Sequence, residues 1–104
     1  MQGICLKLYV SELQRHDGRL IYEWLLERAR TLDIPGGTAI RAIAGFGRHG
    51  RLHEEAFFEL AGELPVEVSF LLNEAQCEQV LAAIKLAGLR LFYVRLPAEF
   101  GVTP

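Results

Sequence analysis

The 104-residue chain has little cysteine, little net charge and no long apolar run, and each shortage removes a class of protein. Cys5 and Cys77 are its two cysteines. Without a CxxC spacing or a paired framework they read as reduced thiols, not as the staples of a secreted fold. The formal net charge of −2 supplies no general attraction to nucleic acid or anionic lipid, so any anion site has to be local. No stretch approaches the roughly 18 apolar residues of a membrane span. Met1-Gln2-Gly3 leads into an alternating segment without the basic-then-apolar stretch of a signal peptide, and Gly3 stands one place too late for myristoylation. The expectation is a cytoplasmic protein, neither exported nor inserted in a membrane. With 51% apolar residues and only 4 prolines, the composition is that of a chain that folds around its own core, as a single domain over residues 1–104.

What is present is a succession of two periodicities. Residues 3–10 alternate, with Ile4, Leu6, Leu8 and Val10 on one side and Cys5, Lys7 and Tyr9 on the other, which predicts a half-buried strand. A polar turn holding Asp17-Gly18 follows. From 20 to 32 the period becomes 3.6, predicting a helix with Ile21, Trp24, Leu25, Arg28 and Leu32 on its inner side. The group Asp33, Pro35, Gly36 and Gly37 stops it.

A second strand is expected over 38–44, with Ile40, Ala42 and Ala44 on one side and Arg41 and Ile43 on the other. A third runs from Leu64-Pro65 to Leu72, with Val66, Val68, Phe70 and Leu72 in phase. Asn73 and Gln76 have the spacing of a capping box, opening a second helix with a stripe of Cys77, Val80, Leu81 and Ile84 that ends at Gly88. Residues 91–96 make a fourth strand closed by Pro97, with a loosely held tail beyond. The order β-α-β-β-α-β predicts an α+β, ferredoxin-like fold: a four-stranded antiparallel sheet with both helices on one face. The opposite face is expected to carry Lys7, Tyr9, Arg41, Glu67, Ser69, Tyr93 and Arg95, a mixture that calls for water, a ligand or another subunit.

The chemistry-bearing residues cluster between the second and third strands. Gly45-Phe46-Gly47 lets backbone amides approach a ligand and offers a ring face, or it is simply a strand-ending turn. Arg48, His49, Arg51 and His53 gather positive charge, and the arginine fork suits phosphate. Glu54 and Glu55 partly neutralise the stretch, as they would in a solvated loop. His49 and His53 have the i, i+4 spacing of a zinc helix, but Gly50 lies between them and the adjoining glutamate is missing, so no metal is assigned. The two cysteines and Trp24 read as packing residues.

In order along the chain, Leu8-Tyr9-Val10, Tyr22-Glu23, Gly37-Thr38 with Arg41, Gly45-Phe46-Gly47, Arg51-Leu52-His53, and Leu60 with Leu64-Pro65 resemble the PII-like proteins of the domain of unknown function 190 family, relatives of the nitrogen-regulatory PII proteins. The resemblance implies a ferredoxin-like subunit, a homotrimer with sheets facing inward, and an inter-subunit cleft at the base of the loop between strands two and three. That cleft would take an adenine nucleotide (AMP, ADP or ATP) or a similar anion as a regulatory ligand. Gly45, Phe46, Gly47, Arg48, Arg51 and His53 would form the ligand site, with Arg41 and Arg95 in support. The 45–59 loop would contact a regulated partner, such as a membrane transporter. Where PII proteins carry a glycine-rich, lysine-bearing segment, this chain has Ala87-Gly88-Leu89-Arg90.

The expected role is therefore sensing, without catalysis. A small ferredoxin-like enzyme is the competing reading, set back by the aliphatic inward strand positions, and a partner-binding scaffold without a small ligand is another. RNA recognition would require stacking aromatics on the central strands, and strand three offers Glu67, Ser69 and Leu71 instead.

Overall fold

The computed structural model describes residues 1–45 and 64–104. In chain order its elements are β1 (Gln2–Ser11), β2 (Arg15–His16), β3 (Arg19–Leu20), α1 (Ile21–Thr31), β4 (Gly36–Arg41), β5 (Pro65–Leu72), α2 (Glu74–Leu86) and β6 (Phe92–Glu99). The main sheet has the order β4-β5-β1-β6, every pair antiparallel, and β2-β3 form a small separate hairpin. This is the ferredoxin-like arrangement that the periodicities predict. The minor hairpin turns on Asp17 and Gly18, both with positive φ (52° and 80°), the backbone required by a two-residue turn of matching twist.

Alternation builds the core. On the helix side of the sheet, Leu6, Leu8 and Val10 of β1 and Val66, Val68, Phe70 and Leu72 of β5 are buried against Ile21, Leu25 and Ala29 of α1 and Cys77, Val80 and Ile84 of α2. These are the β1, β5 and α2 positions that period 2 and period 3.6 single out. In α1 the inner position is Ala29 and not Arg28. Arg28 stays out of the core, where a guanidinium would lose its hydration, and lays its charge over the Trp24 ring, 5.8 Å from the centroid.

The ends of the helices follow local chemistry. Asn73 Oδ1 accepts from the Gln76 amide at 2.7 Å, and Gln76 Oε1 accepts from the Asn73 amide at 2.9 Å, so α2 opens with a complete capping box. Gly88, at φ 76°, closes it, with the Leu89 amide reaching back to the Ile84 carbonyl. Helix α1 has no side-chain cap; its first amide, Ile21, donates instead to the Gln14 carbonyl at 2.8 Å.

Two strands are phased differently from the sequence expectation. Strand β4 begins at Gly36 and ends at Arg41, and its register pairs Gly37 with Phe70, Ala39 with Val68 and Arg41 with Val66. Residues directly opposite in a ladder share a face, so Gly37, Ala39 and Arg41 lie on the helix side and Thr38 and Ile40 on the open side. The physical reason is room for α1. A Cβ at Gly37 would stand 2.8 Å from Phe70 Cε1 and 3.3 Å from Leu26 Cδ2, so the inward positions of this strand have to be small and the large Ile40 is turned out.

Strand β6 runs to Glu99 and pairs Arg95 with Leu6 and Tyr93 with Leu8. Arg95 and Tyr93 are thus on the helix side, and Phe92, Val94 and Leu96 occupy the open face. Arg95 reaches α2, with Nη1 2.9 Å from Glu78 Oε2 and Nη2 3.8 Å from Glu74 Oε2. Its aliphatic stem covers the edge of the core while the charge stays at the rim. Pro97 lies within β6 because this strand pairs only with β1 among the described residues, leaving the prolyl nitrogen on an edge. The chain is held as far as Phe100, whose amide donates to the Met1 carbonyl and whose carbonyl accepts from the Met1 ammonium.

Candidate functional site

The open face of the sheet reads in three rows across β4, β5, β1 and β6: Gly36-Leu71-Cys5-Leu96, Thr38-Ser69-Lys7-Val94 and Ile40-Glu67-Tyr9-Phe92. The expectation of Lys7, Tyr9, Glu67 and Ser69 on this face holds. Arg41, Tyr93 and Arg95 are absent from it for the reasons above, and Ile43 lies beyond the end of β4. Leu71, which the alternation of the third strand also puts here, is 38% exposed, and Ile40, Phe92 and Leu96 join it, 56%, 58% and 44% exposed. The face is therefore more apolar than its sequence suggests.

At its centre is a polar knot. Glu67 accepts from Tyr9 Oη at 3.1 Å and from Ser69 Oγ at 3.2 Å, and Lys7 Nζ lies 3.6 Å away. Partial burial, then the hydrogen bond to Glu67 and its negative charge, push the Tyr9 phenol above the ordinary tyrosine range. Tyr9 also tilts against Phe92, ring centroids 5.9 Å apart.

The second concentration of polar groups is at the root of the β4–β5 connection, where β1 also ends. Glu12, the first residue past β1, receives Arg41 Nε at 2.8 Å on Oε1 and the Leu64 amide at 3.2 Å on Oε2, while its own amide donates to the Leu64 carbonyl at 3.1 Å. One step further out, the Ala42 amide donates to the Pro65 carbonyl at 2.8 Å. One carboxylate thus ties the outgoing leg of the connection to the returning one. Beside it lies a cavity of about 260 Å³ lined by Glu12, Leu13, Leu20, Tyr22, Ala39, Arg41 and Val66.

A larger groove of about 570 Å³ runs between α1 and β4 over Leu26, Phe70, Gly36 and Gly37. Its Arg30 is engaged by Glu27 at 3.0 Å, and the groove lies apart from the loop root. The smaller cavity is the better candidate, since it holds Arg41 and Tyr22 next to the segment that the sequence singles out.

Of the ligand-site residues predicted from sequence, the structure describes Gly45 together with the supporting Arg41 and Arg95. Phe46, Gly47, Arg48, Arg51 and His53, and with them most of the 45–59 loop and His49, lie outside the described residues. A Cβ at Gly45 would meet Pro65 Cγ at 3.5 Å, an ordinary contact, so neither space nor a positive φ demands glycine there. Arg41 is at the loop root, exposed and held by Glu12. Arg95 is across the sheet on β6, bound to α2, and the structure does not bring it to this site. Sequence reasoning misses Glu12: it stands in a polar turn, and no spacing signals a partner 52 residues away.

Comparison with known proteins agrees with this architecture. Over 80 residues, covering 77% of this chain and 76% of the relative, the chain is 35% identical to the UPF0166 protein of Aquifex aeolicus strain VF5. It is 30% identical over 76 residues, 73% of this chain and 69% of the relative, to the UPF0166 protein MJ1524 of Methanocaldococcus jannaschii. A solved structure of a candidate PII-like signaling protein from Thermus thermophilus superposes with a TM-score of 0.61 over 94% of this chain and 88% of that one, at 11% identity, which establishes a shared fold. Residues 3–88 match the profile of the family DUF190 (Uncharacterized ACR, COG1993), so the chain belongs to that family, and its fold is PII-like.

Proposed function

We propose that the protein is a regulatory module of PII type: a homotrimer that binds an adenine nucleotide or a similar anion between subunits at the root of the β4–β5 connection and contacts a regulated protein through the 45–59 loop. The observation that carries this reading is the open sheet face. It keeps Ile40, Leu71, Phe92 and Leu96 in water around a polar knot, a surface suited to burial against further copies of the chain. The loop root supports the ligand reading, because Arg41 sits at the mouth of a cavity beside a sequence rich in glycine, arginine and histidine. The role is sensing, and the strand positions of the buried core cluster, all on β1 and β5, are apolar, offering no catalytic pair within the core of the described residues. The regulated protein, for which a membrane transporter is our candidate, would read the loop. Cytoplasmic residence fits such a role, and no helix among the described residues is long and apolar enough to cross a membrane.

Gly45, Phe46, Gly47, Arg48, Arg51 and His53 are the proposed ligand contacts, with Arg41 at the cavity. An arginine–phosphate contact is worth roughly 1.5–3 kcal/mol. Arg51→Ala is therefore expected to weaken binding about ten- to a hundredfold. Calorimetry of wild type and variant against AMP, ADP, ATP and cyclic AMP measures it. Heat from none of the four, or an affinity unmoved by the substitution, would leave a partner-binding scaffold without a small ligand.

A further inference from the structure

We infer that Glu12 is a positioning residue for the anion site, holding Arg41 as an internal counter-ion that an incoming phosphate group has to take over. The inference rests on the anion-binding reading above and adds to it a residue and a means of coupling. Three observations meet at Glu12. Its Oε1 accepts from Arg41 Nε at 2.8 Å, which fixes the guanidinium at the end of β4. Its Oε2 accepts from the Leu64 amide at 3.2 Å, and its own amide donates to the Leu64 carbonyl at 3.1 Å, which fixes the start of β5. Its side chain is 20% exposed where that of Arg41 is 67% exposed, so the carboxylate is the anchored member and the guanidinium the one that reaches solvent and the cavity.

That asymmetry decides which partner can leave. Arginine carries five N–H donors in a planar fork, and the contact with Glu12 uses Nε; a phosphate approaching from solvent meets the remaining donors. A phosphate group carries more charge than a carboxylate and accepts two parallel bonds, while a solvent-screened ion pair is weakly held, so exchange of Arg41 from Glu12 to the ligand is favourable. The carboxylate then keeps only its contacts to Leu64. Occupation of the site is thereby felt at both legs of the connection, through one side chain and without any rearrangement of the sheet. Until the exchange, Glu12 competes with the ligand for Arg41 and lowers its affinity.

The competition is what an experiment reads. Calorimetry is run on wild type, Glu12→Gln, Arg41→Ala and the double variant with whichever of AMP, ADP, ATP and cyclic AMP the wild type binds, and folding of each is checked by thermal melting. The glutamine removes the charge while keeping the size and an acceptor for the Leu64 amide. Glu12→Gln is expected to bind that nucleotide about three- to tenfold more tightly than wild type. Arg41→Ala is expected to bind about tenfold more weakly, and adding Glu12→Gln to it should change nothing further. Unchanged affinity in Glu12→Gln would make Glu12 purely structural and overturn the inference while leaving the anion reading intact. The same gain with and without Arg41 would overturn it too, by reducing the effect to a general change of charge. Heat from none of the four nucleotides would overturn the anion reading and the inference together.

Discussion

Glu12 and Glu67 show how a single carboxylate acquires different work according to which face it occupies. Glu12 sits past the end of β1 and bridges two chain segments, whereas Glu67 sits in mid-sheet and gathers Tyr9, Ser69 and Lys7 on an otherwise apolar surface. The second arrangement has a consequence in pH. Burial first, and then the Glu67 hydrogen bond and charge, raise the Tyr9 phenol above its unfolded value, so the folded state holds that proton more tightly. Its contribution to stability is fully present below the ordinary tyrosine pKa of about 10 and is lost as pH rises through the higher folded value. Ultraviolet titration of tyrosinate should show a component titrating later than in the unfolded chain, and Tyr9→Phe should remove that component and make the alkaline loss of stability shallower. A titration whose late component survived in Tyr9→Phe would contradict the assignment.

At the scale of elements, legibility tracks the size of the side chains that face inward. Strands β1 and β5 announce their phase because Leu6, Leu8, Val66, Val68 and Phe70 are large and recur at every second position. Strand β4 hides its phase: its inner residues are Gly37 and Ala39, made small by the approach of Phe70 and Leu26, and the bulky Ile40 points outward. Strand β6 is apolar on both sides, so neither Phe92 nor Tyr93 betrays direction, and Arg95 is drawn inward by the carboxylates of Glu74 and Glu78 on α2, well before it in the chain. Of the candidate site, Arg41 is legible and its partner Glu12 is not, since the link between them is made only when three chain segments meet. Helix α2 is the opposite case, its start being written in the local spacing of Asn73 and Gln76. Asn73→Ala should cost about 1 kcal/mol by leaving the Gln76 amide without its acceptor, read as a lower denaturation midpoint with an unchanged slope. An unchanged midpoint would mean that solvent replaces the cap at no cost.

For the whole molecule, the helices cover one face of the sheet and leave the other to carry Ile40, Leu71, Phe92 and Leu96. Burial of that face is the physical basis of the proposed trimer, and it would draw Cys5, between Leu71 and Leu96, out of solvent as well. A charge introduced at the edge of the face, Phe92→Glu, would then have to be buried without a partner and should shift the protein toward monomer. It should do so with the fold preserved, because Phe92 is 58% exposed in the single chain. Whether this face is buried between copies is read from the molar mass of the wild-type protein by light scattering at micromolar concentration. The proposed trimer requires a species of three times the 11.7 kDa chain, and a stable single-chain mass would contradict it, removing the inter-subunit cleft on which the proposed ligand site depends.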